Sequence, residues 1–208
     1  MSLSEVFFKP VQSYFLARRL VGIEKLSALT TRKSVAVVGN ASSLLSLSEA
    51  GSEIESHDIV IRFNAGFVTE SECQGTRTDI ACLSLPLDRD RVVAGFNPQM
   101  VFWLTPKWSK MPHWPADFQT SVEVFPKAYW QELYEILDHH RPTSGCMMLY
   151  LLANYILPDR VTIYGFDFFQ TPTNYHQEIP VGKKHAFHIE RKYVEGLCES
   201  NPGFQMYP

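Results

Sequence analysis

The chain is short of most features that would assign a protein quickly. Its 208 residues hold four cysteines, Cys73, Cys82, Cys146 and Cys198, widely spaced and without a C-x-x-C pair. That spacing excludes a zinc ribbon or finger and argues against a disulfide framework, so a reducing compartment is the simpler expectation. No apolar run reaches the length of a membrane span. The segment "FFKPVQSYFLARRLVGIEKL" is broken by Lys9, Pro10, Arg18 and Arg19 and does not read as a signal peptide. There is no internal repeat and no low-complexity tract. An excess of charge is missing too: the formal net charge of -3 gives no overall pull toward nucleic acid. With 45% apolar residues the chain can build one sizeable core, and its length is too small for two full domains.

Glycine is also sparse, at 11 residues, and no G-x-G-x-x-G appears. The stretch "VAVVGNASSLL", Val35 to Leu45, nonetheless has the outline of a nucleotide-binding turn: an apolar run, Gly39-Asn40, then small polar residues before leucines. Without the second and third glycines, and without an acidic residue closing the second strand, an NAD-binding unit is disfavoured.

What is present is an alternation of strand and helix patterns. "SVAVVGN" predicts a buried strand, "HDIVIRFNA" a second centred on Ile59 to Phe63, and "TDIACLSL", "MVFWLT" and "SVEVF" three more. "DRVTIYGFDF" predicts a further strand; "AYWQELYEILDHH", "GCMMLYLLANYIL" and "HAFHIERKYVEGL" predict helices. Residues 11–29, with Val11, Tyr14, Phe15 and Arg18 at helical spacing, read as an amphipathic helix. It either packs on the core or lies on a membrane surface, which its excess of Lys and Arg suits. The expected organisation is an N-terminal amphipathic segment, 1–33, before a single domain, 34–208. That domain is an α/β Rossmann-like sandwich with a largely parallel sheet flanked by helices.

Ligands in such sheets bind beyond the carboxyl ends of the strands, and the polar residues collect there. Gly39-Asn40 is a strand-to-helix turn whose N–H groups suit an anion, with Ser42 and Ser43 as candidate caps of the following helix. An ordinary tight turn has the same sequence. Strand alternation puts Arg62 and Asn64 on one side, either as a site for phosphate and ribose or as a buried structural pair. "GTRTDI", with Gly75, Thr76 and Thr78, reads by itself only as a turn. In "RPTSGCMMLYLL", Thr143, Ser144 and Gly145 begin an apolar helix and make either a plain N-cap or an anion cradle. Gly165 and Phe166 leave the last strand beside an open backbone. His176, His185, His188 and Glu190 follow in one loop-and-helix segment, which favours acid–base work over metal binding because acidic partners for a metal are missing nearby. Trp103, Trp108, Trp114 and Trp130 lie in a middle region without assignable motifs, as core or as platforms for a sugar.

In this order the pieces resemble the sialyltransferase family that uses CMP-sialic acid. "VAVVGN", "HDIVIRFNA" and "GTRTDI" match its long motif, "PTSG" with "DRVTIYGF" its short motif, "NYHQ" its third, and "HAFHIE", His185 to Glu190, its last. The family's animal members carry a cysteine near the start of the long motif and another before the second strand of the short one, joined as a disulfide. Val35 and Pro158 stand at about those places here, and residues 84–141 carry no usable resemblance.

The resemblance implies an inverting glycosyltransferase that moves sialic acid or a related 2-keto sugar acid from a CMP-sugar to a hydroxyl of a glycan or lipid-linked glycan. It needs no metal and no cofactor, the CMP-sugar being a co-substrate. Gly39, Asn40, Arg62, Asn64, Thr143, Ser144, Gly145, Gly165 and Phe166 would bind the donor. His185 would be the general base, His176 would steady or protonate the departing phosphate, and Glu190 would orient the helix or a histidine. A cytoplasmic protein, loosely held on the inner face of the cell membrane, is the expected location. The alternatives are a CMP-Kdo-dependent transferase and a nucleotide-binding protein without catalysis.

Overall fold

The computed structural model describes residues 18–119, 121–175 and 185–207. A short helix, α1 (Glu24–Thr30), leads into β1 (Ser34–Val38), a 3-10 turn at Ser42–Ser46 and α2 (Ala50–Glu55). Next come β2 (Ile59–Phe63), α3 (Ser71–Gln74), β3 (Ile80–Leu83), α4 (Arg89–Phe96) and β4 (Met100–Trp103). The second half holds α5 (Ala116–Gln119), β5 (Val122–Val124), α6 (Lys127–Ile136), α7 (Ser144–Leu151), β6 (Arg160–Tyr164), α8 (Phe187–Ser200) and β7 (Phe204–Met206). A single π-helical stretch, Leu152–Ile156, extends α7.

The strands form one sheet of seven in the order β5-β4-β3-β2-β1-β6-β7, with every pairing parallel. The expected Rossmann-like sandwich is what forms. The order runs outward from β1 through β5 on one side and resumes with β6 on the other. The helices that follow β1 and β6 therefore pack on opposite faces of the sheet, the arrangement in which this class of sheet opens its ligand crevice. Val38 of β1 is level with Arg62 of β2 and with Tyr164 of β6, so the three strand exits lie side by side.

Alternation sorts the strand residues between the two faces of the sheet, where they build three cores. Val35, Val37, Ile61, Cys82, Phe102 and Ile163 face a layer built from α7, Leu133 of α6, Val194 of α8 and Leu26 of α1. Ala36, Val38, Val60 and Tyr164 face Leu44, Ala50 and Ile54. Ala81, Leu83, Val101 and Trp103 face Val92, Phe96 and Trp114. Helix α7 is buried at every position from Cys146 to Leu151, which is why its sequence is apolar all round rather than striped. All four cysteines are free.

Three expectations need correction. Residues 11–29 do not form one helix. Val21 pairs with Val124 at the sheet edge, and the Gly22 N–H donates to the Val124 carbonyl (3.1 Å), so the helix restarts only at Glu24. A buried carboxylate holds it there: Glu123 accepts the N–H groups of Lys25 (2.7 Å) and Leu26 (2.9 Å). Helical periodicity cannot reveal capture by a distant strand; residues 11–17 lie outside the described ones. The segment after Gly39-Asn40 is the 3-10 turn, without a serine side-chain cap, rather than an α-helix. Finally β7, too short to show a pattern, adds a strand beside β6.

Candidate active site

The turn after β1 is built into the loop after β6. The Gly39 N–H donates to the Tyr164 carbonyl (2.7 Å), Ala41 to Gly165 (3.2 Å), and Ser42 to Pro172 (2.9 Å). Ser43 N–H reaches the Thr171 hydroxyl (3.3 Å), and the Asn40 carbonyl accepts from Asn174 (2.8 Å). These N–H groups were expected to cradle an anion. They are taken by protein acceptors, because the chain after Asn40 is pinned to 165–174 instead of opening a helix N-terminus. What the turn presents is the Asn40 side chain, fixed by donation from its Nδ2 to the Phe63 carbonyl (3.0 Å).

The strand "HDIVIRFNA" divides its polar residues between structure and site. Asp58 accepts from the Ser34 N–H (2.9 Å) and hydroxyl (2.8 Å), fixing the start of β1 against β2. Arg62, only 1% exposed, donates to the carbonyls of Arg77 (3.1 Å) and Gln74 (2.6 Å). It holds the turn before β3 and does not line the cleft. The expectation that Arg62 and Asn64 share a face is thus corrected. β2 ends at Phe63, and Asn64 turns into the left-handed region (φ 54°), so strand alternation no longer applies to it. Asn64 accepts the Ser84 N–H (2.8 Å) and donates to the Ser144 hydroxyl (3.4 Å). In "GTRTDI", Asp79 accepts from the Val60 N–H (2.8 Å) and from Gln99 (2.9 Å), a register lock at the opposite end of the strands.

Helix α7 begins at the cleft. Thr143 is its N-cap, its hydroxyl accepting the Cys146 N–H (3.3 Å). The Met147 N–H donates to the Thr143 carbonyl. Among the described residues the N–H groups of Ser144 and Gly145 meet no acceptor, and both residues line the cleft. The Ser144 hydroxyl pairs with that of Ser84 (2.9 Å).

Phe166 ties these pieces together. A Cβ on Gly39 would lie 2.7 Å from its ring, and one on Gly145 would lie 2.4 Å from it. The ring therefore sits in a slot that only two glycines leave open, edge-on to Phe63 with centroids 6.2 Å apart.

The resulting cleft, about 260 Å³ in volume, gathers Gly39, Asn40, Asn64, Thr143, Ser144, Gly145, Gly165, Phe166 and His185. His176 lies outside the described residues. Sequence reasoning missed Arg141 and Tyr175. Arg141 is the only Arg or Lys among the described residues that lines the cleft; its position directly before the "PTSG" run was the available signal. Tyr175 hydrogen-bonds to the side chains of Asn40 and Asn64, and burial pushes its phenol above the usual range. Of the four tryptophans, Trp103 and Trp114 are core and Trp108 packs against it, whereas Trp130 lines the cleft.

Residues 10–87 match the profile of glycosyltransferase family 29 (sialyltransferase). The short and last motifs fall outside that span, but the fold likeness does not stop there. A mammalian sialyltransferase in complex with Gal-beta-1-3GalNAc-ortho-nitrophenol is similar in structure, with a TM-score of 0.65 at 16% identity, over 94% of this chain and 78% of that one. A further mammalian sialyltransferase structure gives a TM-score of 0.65 at 18% identity, over 95% of this chain and 78% of that one. The sialyltransferase CstII from Campylobacter jejuni, with a substrate analogue, aligns at 16% identity and a TM-score of 0.49, over 84% of this chain and 79% of that one. A sequence search of the curated proteins finds no match.

The sialyltransferase-like motifs at His185 and Thr143 meet through one carboxylate. Glu190, 3% exposed, accepts the Thr143 N–H (2.9 Å) and hydroxyl (2.6 Å), and lies 3.9 Å from His185 Nδ1. The question whether it orients a helix or a histidine resolves toward the helix: its direct bonds are to the α7 cap. His185 Nδ1 donates to the Arg141 carbonyl (2.7 Å), so in the neutral ring the lone pair is on Nε2. Burial pushes Glu190 up to about 7 against the opposing pull of the Thr143 bonds. A raised carboxylate favours folding when protonated. Its contribution is complete below the ordinary carboxylate range and is lost as pH rises through about 7.

Two measurements follow. Glu190→Gln keeps an acceptor for the Thr143 N–H and has no proton to lose. Urea unfolding should show the variant gaining stability relative to wild type from pH 5 to 8, by on the order of 3 kcal/mol; parallel curves would mean that Glu190 is not held protonated. Gly145→Ala should destabilise by roughly 1–3 kcal/mol through overpacking on Phe166, and Phe166→Leu in the same chain should recover part of the loss.

Proposed function

We propose that the chain is an inverting glycosyltransferase that moves a sialic acid or related 2-keto sugar acid from CMP to an acceptor hydroxyl. The observation that carries this reading is the convergence of Asn40, Asn64, Ser144, Gly145 and His185 on one cleft at the strand switch point. In this scheme the side chains of Asn40 and Asn64 orient the nucleotide. The N–H groups of Ser144 and Gly145 and the Arg141 guanidinium carry the negative charge of phosphate and sugar carboxylate. Such fixed donors stabilise a departing phosphate without reorganising as the bond breaks.

His185 Nε2 takes the acceptor's proton as the new bond forms at the anomeric carbon and CMP departs from the opposite face. The Arg141 carbonyl keeps that nitrogen basic by holding the proton on Nδ1. His176 steadies the departing phosphate. The reaction is metal-independent in this scheme. A cytoplasmic location with loose attachment to an anionic membrane surface, suited to a lipid-linked acceptor, belongs to the same proposal. Among the described residues no helix is long and apolar enough to cross a membrane.

Isothermal titration should show CMP binding with EDTA present; binding of NAD in place of CMP would overturn the reading. His185→Ala should keep CMP affinity and lose about a hundred-fold or more in turnover. His188, exposed and outside the cleft, is the control, and its alanine variant should turn over normally. If His188→Ala abolished activity and His185→Ala retained it, the assigned base would be wrong. Co-sedimentation with vesicles should recover more protein with anionic than with neutral lipid; equal recovery would remove the membrane element alone.

A further inference from the structure

The donor scheme brings two anions into one cleft, a phosphate diester and a carboxylate on the anomeric carbon. Arg141 is the only Arg or Lys among the described residues that lines this cleft. Its guanidinium is unpaired: among the described residues it makes no hydrogen bond and no ion pair. Other arginines are engaged by the protein, Arg62 with two backbone carbonyls, Arg77 with Asp79 and Arg191 with Glu195. The two carboxylates that share the cleft with Arg141 are engaged elsewhere. Asp167 accepts the Thr171 N–H (2.9 Å) and the Ser43 hydroxyl (3.3 Å), and Glu190 accepts the Thr143 N–H and hydroxyl. A half-buried guanidinium gives up part of its hydration and needs an acceptor in return. No described residue provides one, so the counter-ion arrives with the ligand.

The backbone beneath that guanidinium is fixed. The Arg141 carbonyl accepts from His185 Nδ1 (2.7 Å), and the buried Pro142 that follows restricts Arg141 to extended backbone. The chemistry then divides the two anions. The base stands beside the anomeric carbon, because the hydroxyl it deprotonates attacks there, and that carbon carries the carboxylate. In an inverting displacement the phosphate lies on the far side of the same carbon. Arg141 is the residue bonded to the base, so its side chain starts from the carboxylate's side of the reacting centre. A guanidinium fork matches a planar carboxylate with two parallel bonds, whereas the free amides at the start of α7 suit a phosphate.

We propose that Arg141 is the residue that selects an acidic sugar: its guanidinium holds the carboxylate on the anomeric carbon, and the phosphate is left to the amides of Ser144 and Gly145. A neutral sugar in the same place leaves the guanidinium unpaired, and a site built around a polar partner rejects a ligand that lacks it. This rests on the reading of the cleft as a CMP-sugar site with His185 as its base.

The test is calorimetric titration of the full chain with CMP and with non-transferable 3-fluoro analogues of CMP-sialic acid and CMP-Kdo, each as the free acid and as its carboxylate methyl ester. Wild type should bind at least one acid about ten-fold or more tightly than its ester, the size of a charge-assisted pair. Arg141→Met should erase that preference, weaken the acid by about ten-fold or more, and change CMP affinity by about three-fold or less. Arg141→Lys, which keeps the charge without the fork, should recover part of the preference. Acid and ester bound alike by wild type would overturn the assignment without any variant. So would a preference that survives in Arg141→Met, or a loss of CMP affinity as large as the loss for the acid, which would put the guanidinium on the phosphate. CMP binding with no preference for the acid removes this assignment alone; a wild type that binds neither CMP nor either acid removes the donor reading with it.

Discussion

The site depends on the ring of Phe166 lying against the bare Cα atoms of Gly39 and Gly145. Those two glycines end β1 and begin α7, and Phe166 itself leaves β6, so one side chain registers three elements that are far apart in sequence. The turn after β1 and the loop after β6 are bonded together, and the space between them and the start of α7 has to be filled. The Phe166 ring fills it, with its Cδ2–Cε2 edge toward Gly39 and its Cε1–Cζ edge toward Gly145. The glycine of the turn after β1 is therefore explained by close packing rather than by a bound phosphate.

Once that space is filled, the polar residues separate by the partners they meet. Buried Arg62 and Asp79, and Asp58 at the surface, bond to backbone and neighbouring turns and hold β1, β2 and β3 in register. Asn40, Asn64 and Ser144 lie past the carboxyl ends, line the cleft, and bond mainly to one another's neighbours there, Phe63, Ser84 and Tyr175. A buried charge needs nearly all its partners from the protein, whereas a binding residue must keep some for the ligand.

Two carboxylates do the same work on the loops. Glu190 ties the start of α8 to the cap of α7, and Asp167 ties the loop after β6 to the turn after β1. Each joins a pair of motifs that chemistry would require to act together, and each is engaged by hydrogen-bond donors rather than by an opposing cation. That leaves Arg141 as the cation beside the start of α7, where an anionic donor is placed in the proposed scheme.

The sequence by itself determined the class of fold, because apolar strand runs alternating with helical runs have few ways to be buried other than a parallel sheet between helix layers. It also named most of the residues that converge on the cleft, since turns at strand exits must be polar, and such turns are visible as breaks in the apolar pattern. The fate of Arg62 was decided only in three dimensions. A period of two carries a side chain's direction as far as the strand lasts, and the backbone at Asn64 leaves the strand one residue too early for the rule. The same holds for the capture of Val21 by β5, the contact of Glu190 with Thr143, and the stacking of Phe169 on Phe187. Each joins residues whose neighbourhood is set by the closing of the sheet, and no local pattern encodes a partner that only that closing brings near.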